Sequence, residues 1–144
     1  MKIILFVIAL FLSALVFFTA RRGDKVLTDS EQAAVLAFSE PIADNLFAGL
    51  AANDYAVFSS DFDPDMQETI TADIFIGWKL NLDDKLGQYI SRQVDQVTQS
   101  GEFHLVVYQV EFEKDEQGLV GIVFHTAEPH AIGHLWIDSK QLRE

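Results

Sequence analysis

The chain contains no cysteine among its 144 residues. Disulfides, thiol catalysis and cysteine-based zinc sites are therefore excluded, as is a lipoprotein, whose acylated cysteine is missing. Basic charge is also scarce. Ten Lys and Arg face 22 Asp and Glu, a net charge of −12. Lys2 carries +1, and Arg21, Arg22, Asp24 and Lys25 together carry +2, so the chain from Val26 onward holds −15. A domain this acidic repels phosphate backbones, which argues against nucleic acid as a partner. The same charge opposes flat docking on anionic lipid and favours solubility. No GxSxG, no phosphate-binding glycine loop and no HExxH is present.

What the sequence does contain begins with an uncharged run, Ile3 to Ala20. As a helix its 18 residues would span roughly 27 Å, close to the hydrocarbon thickness of a bilayer. Residues 1–20 read as a signal anchor or a signal peptide. Phe18 stands where a cleavage site wants a small residue, which favours the uncleaved anchor. The flanking charges, Lys2 against Arg21, Arg22 and Lys25, leave orientation open. The expected location is the cell membrane, through residues 3–20, or the periplasmic or extracellular side after export. Residues 21–28 form a polar linker, and residues 29–140 are expected to form one domain, long enough for a real core.

Thr28-Asp29-Ser30-Glu31 is a helix start, with capping hydroxyls and an early acid. Val35, Phe38, Ile42, Leu46 and Leu50 then recur at three- and four-residue spacing, one face of an amphipathic helix. Pro41 should kink that helix near Ala37 or split it in two. Tyr55 to Phe62 suggests a short helical turn burying Tyr55, Phe58 and Phe62. Asp61, Asp63 and Asp65 alternate like the start of a calcium loop, but Met66 and Ala72 occupy positions that need Gly and Glu. The better reading places Asp63 as N-cap and Pro64 as first residue of a helix running to about Leu80.

Four strands follow: roughly Gly87–Thr98, Phe103–Glu113, a third ending near His125, and a last one through His134 and Trp136. With Phe112 opposite Val120, Val106, Tyr108, Val110 and Phe112 share a face with Val120, Ile122 and Phe124. Leu105, Val107, Leu119, Val123 and His125 take the other face. An antiparallel sheet packed on helices needs only one apolar face. The second face calls for cover, and a homodimer made sheet to sheet would supply it. The last hairpin leaves its register open. Either Ile132, His134 and Trp136 face the core, or Gly133, Leu135 and Ile137 do.

The order of helices followed by a four-stranded antiparallel sheet is that of the cystatin-like α+β cone. Four stretches, NDYAVFSSDFDPDM (53–66), KLGQY (85–89), QVEFEKDEQGLVGIVF (109–124) and AIGHLWI (131–137), resemble a bacterial domain of unknown function in the nuclear transport factor 2-like superfamily. The resemblance covers about residues 31–138. It implies a cone with a pocket between the long helix and the curved sheet, and frequent dimers. This chain departs from the pattern at His134, where a second glycine is usual, and in lacking the lipobox cysteine. The superfamily hosts isomerases, hydratases and non-catalytic binding modules, so the fold does not transfer a function.

The residues expected to line such a pocket are Tyr89, Tyr108, Phe124, His134 and Trp136. An isomerase-type site needs a carboxylate in that pocket, opposite a donor. Tyr89 and Tyr108 can donate, but Asp73, Asp95 and Glu111 have no clear inward placement. His125 and His134 have opposite parity and should face different sides, so no metal site and no cofactor is expected. The sequence thus points to a non-catalytic, membrane-tethered or exported domain that binds a small apolar ligand or a protein partner. The alternative is an isomerase- or hydratase-type enzyme that uses a pocket carboxylate or histidine.

Overall fold

The computed structural model describes residues 24–144; the apolar run 3–20 lies outside them. No helix among the described residues is long and apolar enough to cross a membrane. Helix α1, Asp29–Ala52, starts where the sequence places it. Thr28 Oγ1 accepts from Glu31 N at 3.2 Å, and Glu31 Oε2 accepts from Thr28 N at 2.9 Å. This reciprocal box satisfies two amide donors that the first turn leaves open. Lys25 Nζ adds an ion pair to Glu31 at 2.6 Å.

Pro41 neither splits α1 nor ends it. Its ring and Ala37, whose carbonyl loses the hydrogen bond, are both on the solvent side. Water can serve the freed carbonyl there, so the interruption is tolerated. The buried stripe is Val35, Ser39, Ala43, Leu46, Phe47 and Leu50. It is rotated by about one residue from the sequence expectation, with Phe38 and Ile42 as half-buried flanks. The small side chains of Ser39 and Ala43, both 0% exposed, let the helix sit close to its neighbours.

Asn53, in the left-handed region at φ 55°, ends α1, and α2, Tyr55–Phe58, folds straight back. Gly49 permits that reversal: a Cβ there would run into the Phe58 backbone. Asp63 then caps α3, Pro64–Thr69, accepting from Met66 N at 2.8 Å. The single helix expected from Pro64 to about Leu80 is in fact two. Ile70 and Thr71 break it, and α4, Ala72–Leu86, starts from a Thr71 cap. Ile70 turns inward, and its carbonyl accepts from Tyr55 Oη at 2.6 Å. Burial of one isoleucine and a served carbonyl outweigh the helical bonds given up at the break.

The four strands are β1 (Tyr89–Ser100), β2 (Phe103–Phe112), β3 (Asp115–His125) and β4 (Ile132–Asp138), and a short helix α5 (Lys140–Arg143) closes the chain. They form one antiparallel sheet in sequence order, a meander, with the helices packed on one side. The β2–β3 register differs from the expectation. Tyr108, not Phe112, lies opposite Val120, and Phe112 pairs with Asp115. The turn is two residues, Glu113-Lys114, and a bulge follows it. The discrepancy is an even number of residues, so every side chain keeps its expected face. Val106, Tyr108, Val110, Phe112, Val120, Ile122 and Phe124 all join the helix-side core.

On β4 the second alternative holds in the middle of the strand. Leu135 pairs with Ile122 and Ile137 with Val120, on the helix side. A bulge at Gly133 then resets the alternation, which puts Ile132 on the helix side as well. Trp136 and His134 face the other way. Leu105, Val107, Val123 and Trp136 form a separate small cluster there, with Phe103 and Leu119 at its edge. Gly121 sits beneath Trp136, where a Cβ would collide with the indole.

Candidate functional site

The five pocket candidates divide between the two faces of the sheet. Tyr89, Tyr108 and Phe124 belong to the helix side, whereas His134 and Trp136 lie on the outer face with Val123 and Gly121. They do not line a common cavity. Tyr108 and Phe124 are each 0% exposed, as are Val106, Val110, Ile122 and Ile132 around them. Among the described residues the space between helices and sheet is occupied chiefly by Phe47, Phe58, Phe75 and Phe124, all fully buried, with Phe38, Trp78 and Tyr89 half-buried at its margins. Tyr89 stacks on Phe47 at 4.9 Å between centroids, and Phe38 meets Phe124 edge-on at 6.0 Å.

One polar network does reach into this interior, and its acid comes from α1. Tyr108 Oη donates to Glu40 Oε1 at 2.6 Å. Arg92, inward-facing on β1, reaches Asp44 Oδ1 at 2.6 Å and Glu40 Oε2 at 3.4 Å. Its guanidinium lies over the Phe47 and Tyr108 rings, 5.0 and 5.4 Å from their centroids. Burial opposes charge on Arg92, but the bond to Asp44, Tyr89 and the charge of Glu40 reverse the balance and hold it firmly protonated. Burial, then the bond and charge of Glu40, push the Tyr108 phenol well above its ordinary range. Tyr108 is therefore a fixed donor whose one O–H is already engaged by Glu40.

Glu40 and Arg92 went unread in the sequence. Glu40 flanks the buried stripe beside Pro41, and nothing local says that β2 lies before it. Arg92 looks like one polar residue in a weakly alternating strand. Of the acids weighed from sequence, Asp73 and Asp95 are exposed, and Glu111 accepts from Ser91 Oγ at 3.3 Å.

A second polar group lies at the end of the sheet where β2 begins. His125 Nε2 is 2.8 Å from Asp63 Oδ2, while Asp63 Oδ1 stays on its cap bond. Gly133 makes room for this pair: a Cβ there would come 3.1 Å from His125 Nε2 and 3.3 Å from Asp63 Oδ2. His125 and His134 lie on the same face, contrary to the parity argument, because the Gly133 bulge shifts β4 by one. No group of three or more His, Asp or Glu among the described residues is arranged to hold a metal. On the helix side of the same end, His130 stacks on Phe38 at 3.7 Å and His104 lies 5.8 Å from that ring. Burial, then the neighbouring His130, holds His104 below the ordinary imidazole range, and burial does the same to His134.

At the opposite end a crevice is lined by Leu50, Lys79, Leu82, Asp83, Gly87, Tyr89 and Phe112, with room for about one water. Lys79, 5% exposed, is paired there with Asp83 one helical turn on. Among the described residues neither end offers a nucleophile beside a base, or a donor pair aimed at an empty space.

No family model matches the chain, and no curated protein matches it in sequence. Solved structures do resemble it in shape. A protein from Sinorhizobium meliloti, provisionally named a polyketide cyclase, is 17% identical, with a TM-score of 0.44 over 68% of this chain and 94% of its own. One from Streptomyces galilaeus, provisionally named a hydroxylase, is 10% identical, with a TM-score of 0.45 over 74% and 83%. A nuclear transport factor 2-like protein from Burkholderia thailandensis is 15% identical, with a TM-score of 0.39 over 71% and 90%. These likenesses leave the activity of this chain open.

Proposed function

We propose that this chain is a non-catalytic binding domain that meets a protein partner through its surface, held at a membrane or exported by its leader. The filled cone carries this reading. A small-molecule site buries most of its ligand in a concave pocket of several hundred Å³. Here Tyr108 and Phe124, which would line it, are fully buried, and Tyr89 is half-buried at a crevice with room for about one water. The polar groups of the interior are largely engaged with one another: Tyr108 Oη donates to Glu40, and Arg92 bridges Glu40 and Asp44, while Arg92 Nε and Ser39 Oγ are buried without a hydrogen-bond partner. Between the two ligand classes the sequence allows, the apolar small molecule is disfavoured and the protein partner remains.

The test is native mass spectrometry of the chain purified from its source, joined to titration with 1-anilinonaphthalene-8-sulfonate. The expected result is no retained small molecule, no saturable dye binding, and a co-purifying polypeptide. A stoichiometric small molecule released on unfolding would overturn it.

The enzyme reading keeps one observation on its side, the short Tyr108–Glu40 bond, with Glu40 part-exposed at 40%. A carboxylate held by arginine beside a protonated phenol is an acid–base pair. For that pair to act, α1 would have to move off β1 and admit a substrate. A substrate turned over by the wild type and not by Glu40→Gln would establish this reading.

A further inference from the structure

Leu105, Val107, Val123 and Trp136 face away from the described helices, yet they are only 9%, 6%, 2% and 5% exposed. A sheet seals such a face by packing it against a second layer. Trp136 makes the point most sharply. A Cβ on Gly121 would come 2.0 Å from its indole, so the ring lies directly on β3. One ring face meets the strand and the other points off the sheet. With water on that outer face, a large part of the indole would be exposed. His134 shares this side of the sheet and is also buried enough to be held below the ordinary imidazole range.

The described helices do not supply the cover. Their apolar side chains pack into the larger core on the other side of the sheet, and Leu142 of α5 joins them there. A second copy of the chain is a poor candidate. A stable interface buries about 800 Å² on each partner. Side chains already sealed within one chain have little surface left to bury against another. The cover therefore belongs to the same chain. Its remaining long apolar stretch is the uncharged run Ile3 to Ala20.

The chain path brings that run to the right place. Lys25 N donates to Gln99 O at 2.8 Å, at the free edge of β1. Leu27 then turns into the helix-side core. The residues before Lys25 thus meet the sheet at its margin. Thr98, next to Gln99, lies opposite Leu105, the nearest member of the outer cluster. From β1 to Trp136 on β4 is three strand spacings, about 14 Å. The run reaches roughly 27 Å even as a helix, so it is long enough to cross. It carries no charge, and the middle of the outer face carries none either. The outward acids Glu111 and Asp138 lie at the end away from Gln99.

We propose that residues 3–20 dock on the outer face of the sheet and cover Trp136. The run that could enter a bilayer then has a second resting place on its own domain, and the two compete. This goes beyond the binding reading and requires only that the leader is retained.

The test uses the full chain, its leader confirmed by intact mass, at submicromolar concentration in lipid-free buffer. Trp78→Phe leaves Trp136 as the single tryptophan. Its emission is expected at short wavelength, with slow quenching by acrylamide. Leu10→Asp with Leu15→Asp should shift that emission to the red and raise the quenching constant severalfold. Trp78, read alone in Trp136→Phe, should not respond to the same leader change, which separates loss of the cover from loss of the fold. Phosphatidylcholine vesicles should also raise the quenching of Trp136, as the leader leaves the sheet for the bilayer. A cross-link gives an independent reading. The chain has no cysteine, so Leu119→Cys places one thiol at the rim of the outer cluster for a benzophenone maleimide. Photolysis should join it to residues 3–20 of the same chain.

Cross-links to a second chain would make the face a dimer contact and overturn the proposal. So would the absence of any cross-link to the leader, or a Trp136 emission indifferent to the leader acids and to vesicles. The binding reading is judged separately, by the retained small molecule and the co-purifying polypeptide, and either idea can fail without the other.

Discussion

Single side chains decide most in the Tyr108 network. Tyr108→Phe removes one hydrogen bond but leaves no orphan, because Glu40 keeps Arg92 and partial access to water. The expected loss is about 1–1.5 kcal/mol, read from the urea midpoint at constant m-value. A loss above about 3 kcal/mol would mean that the phenol anchors more than Glu40. The histidines set a pH dependence. His104 and His134 both titrate below their ordinary value in the fold. Their contribution is therefore complete above the unfolded pKa of 6.5, where both states are neutral. As pH falls below 6.5 the unfolded chain takes up protons that the fold refuses, and stability falls with it. Tm should drop between pH 7 and pH 5, and His104→Gln should flatten that slope. An unchanged slope would place the effect elsewhere. Neither network was readable in advance. Glu40 and Tyr108 are 68 positions apart, and no local pattern says that a helix flank meets a strand.

Elements were more legible than their joints. Helix α1 and all four strands follow from capping residues and apolar spacing, which are local signals. The break at Ile70–Thr71 is not local, since it exists because Ile70 is wanted in the core and Tyr55 serves its carbonyl. Thr71 did carry a signal, as an N-cap residue ahead of an apolar-periodic run, but Pro64 gave an equally good start and masked it. Removing the second cap tests this account. Thr71→Ala should cost about 1 kcal/mol, the usual value of a hydroxyl cap. The effect should be confined to α4, seen as faster amide exchange at Phe75 and Ile76 with α3 unchanged. Equal loosening of both would mean that the two helices form as one unit. On the sheet, the β2–β3 slip was harmless because it was even. The Gly133 bulge was not, because an odd insertion swaps faces. A bulge written as one extra residue in an alternating run cannot be told from a shift of the whole strand.

For the whole molecule the issue is whether the cone is solid or only closed in one state. The sequence promised aromatic residues on the sheet's helix side, and Tyr108 and Phe124 are there. What it could not show is that α1, α2 and α4 send Phe47, Phe58 and Phe75 into the same space, so that aromatic lining becomes aromatic filling. A solid interior has a measurable signature. Phe124→Ala should cost about 3–5 kcal/mol, the transfer term plus an unfilled cavity, since rigid strands on either side prevent collapse. The void would be apolar and dry, able to take a small aromatic molecule. Toluene should then raise the Tm of Phe124→Ala and leave the wild type unmoved. Phe124→Leu, which opens less space, keeps the test alive if the alanine variant does not fold. It should show a smaller loss and little response to toluene. A wild-type Tm that rises with toluene would show space already present, and the domain would have to be read again as a binder of small apolar ligands.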